Sequence, residues 1–238
     1  MPAYASSQKL KLRVDGLSRI ENFLAGSLEE IIDSYGTNEF RQSNIQKGKV
    51  FRECLNLDLS TETENLLSER CKLGFHRDKR STVEYGLDLV FGWMSEDLVL
   101  RALRSNGIDV VLSGEDKFRE FLTTSEIGTT PDFSIMHKGH RRQMEIVFSW
   151  NGYWKRTNSW DIRDSKFRHL TLEGQEALCL GIELPDITGF FMDMKDTKDD
   201  FNERSNAAWG SKKVYTLNGI STRLKNLKEV LKELEPLS

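Results

Sequence analysis

The stretch Thr130-Pro131-Asp132-Phe133-Ser134-Ile135, followed after a short polar gap by Gln143-Met144-Glu145-Ile146-Val147-Phe148, decides the fold. Apolar residues alternate with others in both runs, which is the pattern of strands with one buried face. Residues 137–142, between the two runs, are basic apart from one glycine. The sequence therefore predicts a β-hairpin with a basic turn.

Two carboxylates occupy special positions in this hairpin. Asp132 directly follows Pro131, whose fixed φ and whose restriction of Thr130 define where the aspartate lies. Glu145 is inside an apolar strand, where a carboxylate is costly unless it is paired or bound to a metal. Carboxylates on neighbouring strands can converge on one hard cation, which takes oxygen ligands.

Pro131, Asp132 and Glu145, with the spacer between them, resemble the motif of the PD-(D/E)XK nuclease superfamily, which includes type II restriction endonucleases and Holliday-junction resolvases. That motif is a Pro-Asp pair, a spacer and then acid-x-Lys on a β-hairpin. The chain departs from it at one place, because Val147 occupies the lysine position. The resemblance covers residues 80–195.

The resemblance implies metal-dependent hydrolysis of DNA, with Mg²⁺ as the cofactor and Mn²⁺ as a possible substitute. The implied metal ligands are Asp132, Glu145 and the backbone carbonyl of Ile146. A lysine normally orients the attacking water in the superfamily, and some members supply it from the helix that follows the hairpin. Lys166, in the first turn of that helix, is the favoured substitute, and Lys155 is the second candidate.

Glu84 has two interpretations. Ser81-Thr82-Val83-Glu84 has the Ser-x-x-Glu form of a capping box at the start of a helix. The superfamily resemblance implies instead that Glu84 is the acid that a helix points at the metal site. One side chain could not easily do both.

The candidate DNA contacts are basic residues in the predicted turn, in the loop that follows and before the next helix: His137, Lys138, Arg141, Arg142, Lys155, Arg156 and Arg163. The loop at residues 149–162 also holds four aromatic residues, Trp150, Tyr153, Trp154 and Trp160. These rings could pack the loop or contact sugars and bases, because aromatics beside basic residues suit nucleic acid. The basic cluster at residues 76–80 offers a second surface.

The composition is that of a soluble protein, with 38% hydrophobic and 30% charged residues. There is neither an apolar run of roughly 18–20 residues nor the apolar core of a signal peptide. The three cysteines lack metal-type spacing, so we expect buried reduced thiols and a cytoplasmic location. A formal net charge of −3 does not indicate DNA binding, although a local basic patch could still bind DNA. The expected partners are DNA and a second copy of the chain, without a membrane.

The predicted order of elements around the hairpin is helix, strand, hairpin, helix, strand, strand. This order predicts an α/β fold with a restriction-endonuclease-like core, in which a mixed central β-sheet is flanked by helices, with extra N-terminal and C-terminal helical segments. Three regions are expected: an accessory region at 1–80, the nuclease core at 81–195, and a charged linker with an amphipathic helix at 196–238. Within the first region, residues 1–15 alternate and predict a strand or an ordered arm.

Four functions remain open from the sequence. The first is a Mg²⁺-dependent restriction-type endonuclease, and the second is a junction or repair nuclease with the same core. The third is an inactive DNA-binding protein on a nuclease fold, which the missing motif lysine favours. The fourth is a structural or interaction domain, in which Asp132 is a turn residue and Glu145 an ordinary strand residue.

Overall fold

The structure is a computed structural model that describes residues 8–74, 81–207 and 211–235. The basic cluster at residues 76–80 lies outside the described residues. The chain divides into two compact units, one formed by Met1–Ala102 with Glu115–Gly128 and the other by Leu103–Gly114 with Thr129–Ser238. The three functional regions drawn from the sequence stay a prediction.

The first unit is helical. Its helices are α1 (Gln8–Leu24), α2 (Leu28–Tyr35), α3 (Lys47–Asn56), α4 (Thr61–Gly74) and α5 (Thr82–Ser105), of which the last three residues belong to the second unit. Leu10, Leu17 and Ile20 are buried at helical spacing along α1. The strand or arm predicted for residues 1–15 is therefore wrong from Gln8 onward, because the helical period through Ile20 outweighs a short alternation.

The interior of the first unit includes a buried charge. Arg119 is 2% exposed, and its guanidinium lies 2.7 Å from the Glu96 carboxylate and 2.6 Å from that of Asp97. Two carboxylates around one guanidinium satisfy the donors that burial would otherwise leave without partners. This network has a structural role inside the unit.

The second unit contains every strand among the described residues. The strands are β1 (Val110–Leu112), β2 (Phe133–His137), β3 (His140–Ser149), β4 (Ser159–Arg163), β5 (Ala177–Glu183), β6 (Thr188–Asp193), β7 (Phe201–Asn206), β8 (Lys212–Asn218) and β9 (Lys225–Asn226). Six of them form a sheet in the order β1-β2-β3-β5-β6-β9, in which β3 and β5 are parallel and the other pairs antiparallel. The sheet is therefore mixed.

Short helices pack on this sheet. They are α6 (Tyr153–Thr157), α7 (Asp164–Leu170), α8 (Met194–Thr197) and α9 (Leu227–Lys232). One hydrophobic cluster joins β5 and β6 to α6 and α7 through Trp154, Phe167, Cys179 and Phe190. The predicted α/β fold with a mixed central sheet, flanking helices and added terminal helices is confirmed.

A second, three-stranded sheet in the order β4-β8-β7 was not predicted. The sequence indicated an aromatic loop at 149–162 and a charged linker at the start of the 196–238 region. β4 buries Trp160 and Ile162 on one face, and the polar strand β7 buries only its terminal residues, Phe201 and Asn206. Edge strands of this kind show little apolar alternation, so pattern analysis misses them.

The hairpin turn is shorter than predicted. Lys138 and Gly139 form it alone, both with positive φ (51° and 80°), as in the two-residue turns that match strand twist. The flanking strands therefore extend to His137 and from His140. Among the described residues, no helix is long and apolar enough to cross a membrane.

Candidate metal centre

The hairpin register brings the two sequence-selected carboxylates together. Phe133 is the partner of Met144 in the β2–β3 pairing. Asp132 directly precedes β2 and Glu145 directly follows Met144, so the two carboxylates are the next residues along this register. Directly opposed residues project from the same face of a sheet, about 5 Å apart at Cβ. The register therefore favours an arrangement with both carboxylates on one face of the sheet.

Asp132 is held in place through both its side chain and its backbone. Its Oδ2 accepts a hydrogen bond from the backbone N–H of Ile146 at 2.8 Å. Its carbonyl accepts hydrogen bonds from the N–H groups of Ser113, at 2.9 Å, and Gly114, at 3.4 Å. The aspartate at the end of β2 is thus tied to β3 and to the segment after β1.

The backbone of Ile146 faces the same edge. Its N–H points towards Asp132, and in an antiparallel ladder the N–H and C=O of one residue point to the same neighbour. The Ile146 carbonyl therefore points towards the Asp132 side of β3. Two carboxylates and one carbonyl oxygen share this edge.

Lys166 reaches this edge from α7. Its Nζ lies 2.8 Å from Oε2 of Glu145, in an ion pair whose side chains are 24% and 9% exposed. The same ammonium donates hydrogen bonds to the backbone carbonyls of Thr129, at 3.5 Å, and Thr130, at 3.3 Å. Lys166 therefore links the helix to both the Glu145 carboxylate and the segment that leads into Asp132.

The electrostatics around Cys179 report the same grouping. Cys179 is the β5 partner of Glu145 and is buried. Burial raises the pKa of its thiol well above the usual value, the charges of Glu145 and Asp132 raise it further, and Lys166 acts in the opposite direction. The Glu145, Asp132 and Lys166 side chains therefore all lie near enough to this sulfur to act on it.

The donor set at this edge fits a magnesium ion. The described residues contain no group of three or more His, Cys, Asp and Glu side chains placed to hold a metal. Mg²⁺ does not need such a cage, since it keeps several waters and is usually bound through one or two carboxylates together with substrate phosphate. Asp132, Glu145 and the carbonyl of Ile146 supply oxygen ligands of this kind.

Two other predicted catalytic residues have partners of their own. The Lys155 ammonium is exposed and lies 2.7 Å from the Asp186 carboxylate. Glu84, in the first unit, accepts a hydrogen bond from Ser81 N–H at 3.0 Å, while its own N–H donates to Ser81 Oγ at 3.2 Å. Glu84 therefore forms the predicted capping box, and its catalytic role stays a prediction.

Two of the predicted DNA contacts are buried, so those assignments are corrected. His137 is 5% exposed and packs edge-on against Phe191. Arg142 is 9% exposed, and its guanidinium binds the carbonyl of Glu176 at 3.0 Å and the Asp193 carboxylate. Both residues lie in strands and face inward, because the turn comprises only Lys138 and Gly139.

The other five predicted contacts are exposed: Lys138, Arg141, Lys155, Arg156 and Arg163. The aromatic residues of the 149–162 segment divide between two environments. Trp154 and Trp160 are in the hydrophobic cluster, as the packing interpretation predicts. Tyr153 is 37% exposed, and the Arg156 guanidinium lies over its ring at 6.0 Å.

Sequence analysis missed the backbone groups of the site. The carbonyls of Thr129 and Thr130 and the N–H groups of Ser113 and Gly114 contact Lys166 or Asp132. No side-chain pattern signals them, because any residue type supplies the same atoms. The polar residues before Pro131 indicated only that the backbone of Thr129 and Thr130 lies outside a strand.

No protein-family model and no curated protein sequence matches the chain. Among solved structures, the chain is similar to a Holliday junction resolvase from the archaeal hyperthermophile Archaeoglobus fulgidus. The two share 12% identity and a TM-score of 0.36 over 58% of this chain and 93% of the resolvase.

Proposed function

We propose that the protein is a Mg²⁺-dependent DNA endonuclease, with Mn²⁺ as a possible substitute ion. The observation that carries this proposal is the Lys166 ammonium 2.8 Å from the buried Glu145 carboxylate, on the strand whose Ile146 N–H binds the Asp132 carboxylate at 2.8 Å. A carboxylate at an ordinary surface or turn position needs neither a buried carboxylate on the neighbouring strand nor a lysine that reaches it from a helix. A structural domain accounts less well for this cluster, because a buried carboxylate such as Glu145 is unfavourable and a second carboxylate nearby adds to the cost.

Each residue has a distinct task in the proposed reaction. Asp132, Glu145 and the Ile146 carbonyl would hold the cation, and Ile146 N–H keeps the Asp132 carboxylate oriented through its 2.8 Å hydrogen bond. The bound ion supplies charge relief at the phosphate and a more acidic water. Lys166 orients the attacking water, as the cation that Val147 does not provide.

The exposed basic residues would hold the DNA backbone on either side of the centre. Arg141 is four residues before Glu145 on β3, hence about 13 Å away along the strand. Lys155 and Arg156 follow the other end of β3, in α6. Cations at both ends of the strand that bears Glu145 suit a polyanion lying along the strand.

The proposal includes restriction-type cleavage by a homodimer, with a junction or repair nuclease as the alternative. A substrate panel separates the two: supercoiled plasmid, linear duplex and a four-way junction, each with and without Mg²⁺. Site-dependent cutting of linear duplex into discrete fragments supports the restriction-type activity. Cleavage confined to the four-way junction supports the alternative.

Asp132→Asn and Glu145→Gln test the assignment of the site. Both variants keep the side-chain size and remove one charge, so each should lose cleavage while the protein remains folded. Glu233→Gln is the matched control, since the Glu233 carboxylate lies 2.7 Å from Lys225 and belongs to neither β2 nor β3. Full activity in either carboxylate variant would refute the proposed centre.

A catalytically inactive DNA-binding protein is a second candidate, and one observation favours it. Val147 packs against the hydrophobic cluster at the place where the motif has a lysine. The same panel decides: DNA binding without cleavage of any substrate in Mg²⁺ or Mn²⁺ would support this candidate.

A further inference from the structure

We propose that Lys166 is an exchangeable counter-ion: it neutralises Glu145 while the centre holds no cation and leaves Glu145 when a divalent cation binds. The inference rests on the proposed metal centre and adds regulation to it. Lys166 would then become available for catalysis only in a centre that already contains the ion.

The first support is the environment of the ammonium. Its Nζ lies 2.8 Å from Glu145 Oε2 and within 3.5 Å of the Thr129 and Thr130 carbonyl oxygens. Three protein oxygens thus surround a group with three N–H donors. The ammonium is engaged by these three oxygens, and it could not also orient a water without giving up one of them.

The second support is the charge of the opposed carboxylates. Asp132 Oδ2 lies 2.8 Å from the N–H of Ile146, the residue after Glu145 on β3, and Glu145 is 7% exposed. Two like charges at this separation disfavour each other, and burial strengthens the effect. The Lys166 ammonium offsets this repulsion, so the site can fold before it holds a divalent ion.

The third support is competition for one carboxylate. A cation shared by Asp132 and Glu145 and the Lys166 ammonium are like charges that would both bind Glu145. Their simultaneous binding is unfavourable, so pairing with Lys166 and binding of a cation oppose each other, and each weakens the other by the same factor.

The Thr129 and Thr130 carbonyls can still bind the Lys166 ammonium after it leaves Glu145. Lys166 can keep these two hydrogen bonds while it releases Glu145, because its long side chain ends in a rotatable ammonium. It then remains beside Asp132 through the segment that leads into that residue. The exchange needs only a side-chain movement.

Titration with Mn²⁺ tests the exchange without requiring activity. The free ion is counted by electron paramagnetic resonance in solutions of the full chain, for the wild type, Lys166→Met, Lys166→Arg and Lys155→Met. Lys166→Met should bind Mn²⁺ about tenfold more tightly, since the competing cation is gone. Lys166→Arg keeps the charge and Lys155→Met leaves the centre unchanged, so both should bind like the wild type.

The outcomes separate this inference from the proposed function. Binding to the wild type that Asp132→Asn abolishes, with no gain in Lys166→Met, would overturn the exchange and leave the metal centre standing. Absence of binding in both the wild type and Lys166→Met would overturn both. Should Lys166→Met not fold, Lys166→Gln carries the same test, because its amide can still donate to the threonine carbonyls without the charge.

Discussion

Asp132 combines a structural hydrogen bond with the proposed metal ligation, and the two contributions can be separated by mutation. Asp132→Asn keeps an acceptor for the Ile146 N–H, whereas Asp132→Ala leaves that N–H without it. We expect Ala to lower the free energy of unfolding by about 1–2 kcal/mol, the cost of an unsatisfied buried donor, and Asn to lower it much less. Urea unfolding of both variants measures this; equal stabilities would show that Ile146 N–H finds another partner.

His137 should make stability depend on pH. Burial lowers the pKa of its imidazole below the usual 6.5, the charges of Arg142 and Lys138 lower it further, and a hydrogen bond to the Glu233 backbone and the charge of Asp193 oppose them. The unfolded chain therefore binds a proton at higher pH than the folded protein does, so stability falls as pH drops below 6.5 towards the lowered pKa.

The measurement is the midpoint of urea unfolding between pH 7.5 and pH 5, for the wild type and for His137→Gln. The variant should lose part of the acid destabilisation, because the unfolded state no longer gains this proton. Identical pH profiles would mean that His137 titrates alike in both states.

Val147 occupies the position of the motif lysine, so a lysine placed there tests whether the role proposed for Lys166 can be filled from β3. Val147 and Glu145 are two residues apart on β3, hence on the same face, about 7 Å apart along the strand. We expect Lys166→Met to lose most of the cleavage rate and Lys166→Met/Val147→Lys to recover part of it. The new lysine would lie where the nuclease motif has one, with its alkyl stem against the hydrophobic cluster.

The comparison is single-turnover cleavage by the two variants and by Val147→Lys alone. Val147→Lys should also be less stable than the wild type, because Val147 packs against buried residues. A double variant no faster than Lys166→Met, although folded, would show that the helix position of the lysine is essential.

At the level of elements, Arg142 connects three strands. It lies on β3, its Nε donates to the carbonyl of Glu176 just before β5, and its guanidinium pairs with Asp193 at the end of β6. Arg142→Ala should lower the free energy of unfolding by about 1–3 kcal/mol, since it removes the hydrogen bonds that a buried guanidinium makes to Glu176 and Asp193. Arg141→Ala is the matched control, because Arg141 is the exposed neighbour on the same strand.

The two mutations should affect DNA affinity in the opposite way to stability: Arg141→Ala should have the larger effect. Arg141→Ala is expected to weaken binding and to reduce its salt dependence, whereas folded Arg142→Ala should bind like the wild type. Fluorescence anisotropy at several salt concentrations, under conditions where both variants are folded, gives the answer. Weaker binding by Arg142→Ala alone would restore its predicted role as a DNA contact.

The elements that the sequence predicted are those whose signal is local. Asp132 and Glu145 stood out because a proline fixes one and an apolar strand surrounds the other. Arg142 faces inward because the turn contains only two residues. The sequence did not indicate so short a turn, because residues 137–142 are all basic or glycine. β8 pairs with β4 across some 50–60 residues of chain, and β7 pairs only with β8, so the polar strand β7 depends on a sheet that leaves no periodic trace in its own sequence.

At the scale of the whole molecule, the three buried cysteines divide between the units. Cys54 and Cys71 belong to the first unit and Cys179 to the second, and none forms a disulfide. Burial raises the pKa of all three thiols. Burial and the raised pKa both suppress the reaction of the thiolate with a thiol reagent. Labelling should therefore require opening of the unit that contains the cysteine.

Cation binding should therefore protect the cysteines unequally. An ion held by Asp132 and Glu145 stabilises the second unit by mass action, so Mn²⁺ should slow labelling of Cys179. Cys54 and Cys71, in the other unit, should label at nearly unchanged rates. Peptide mass spectrometry after timed alkylation assigns each rate to its cysteine, and Glu145→Gln is the control in which Mn²⁺ protects none. Equal protection of all three would instead show that the two units open together, so that an ion at the β2–β3 edge stabilises the chain as one cooperative structure.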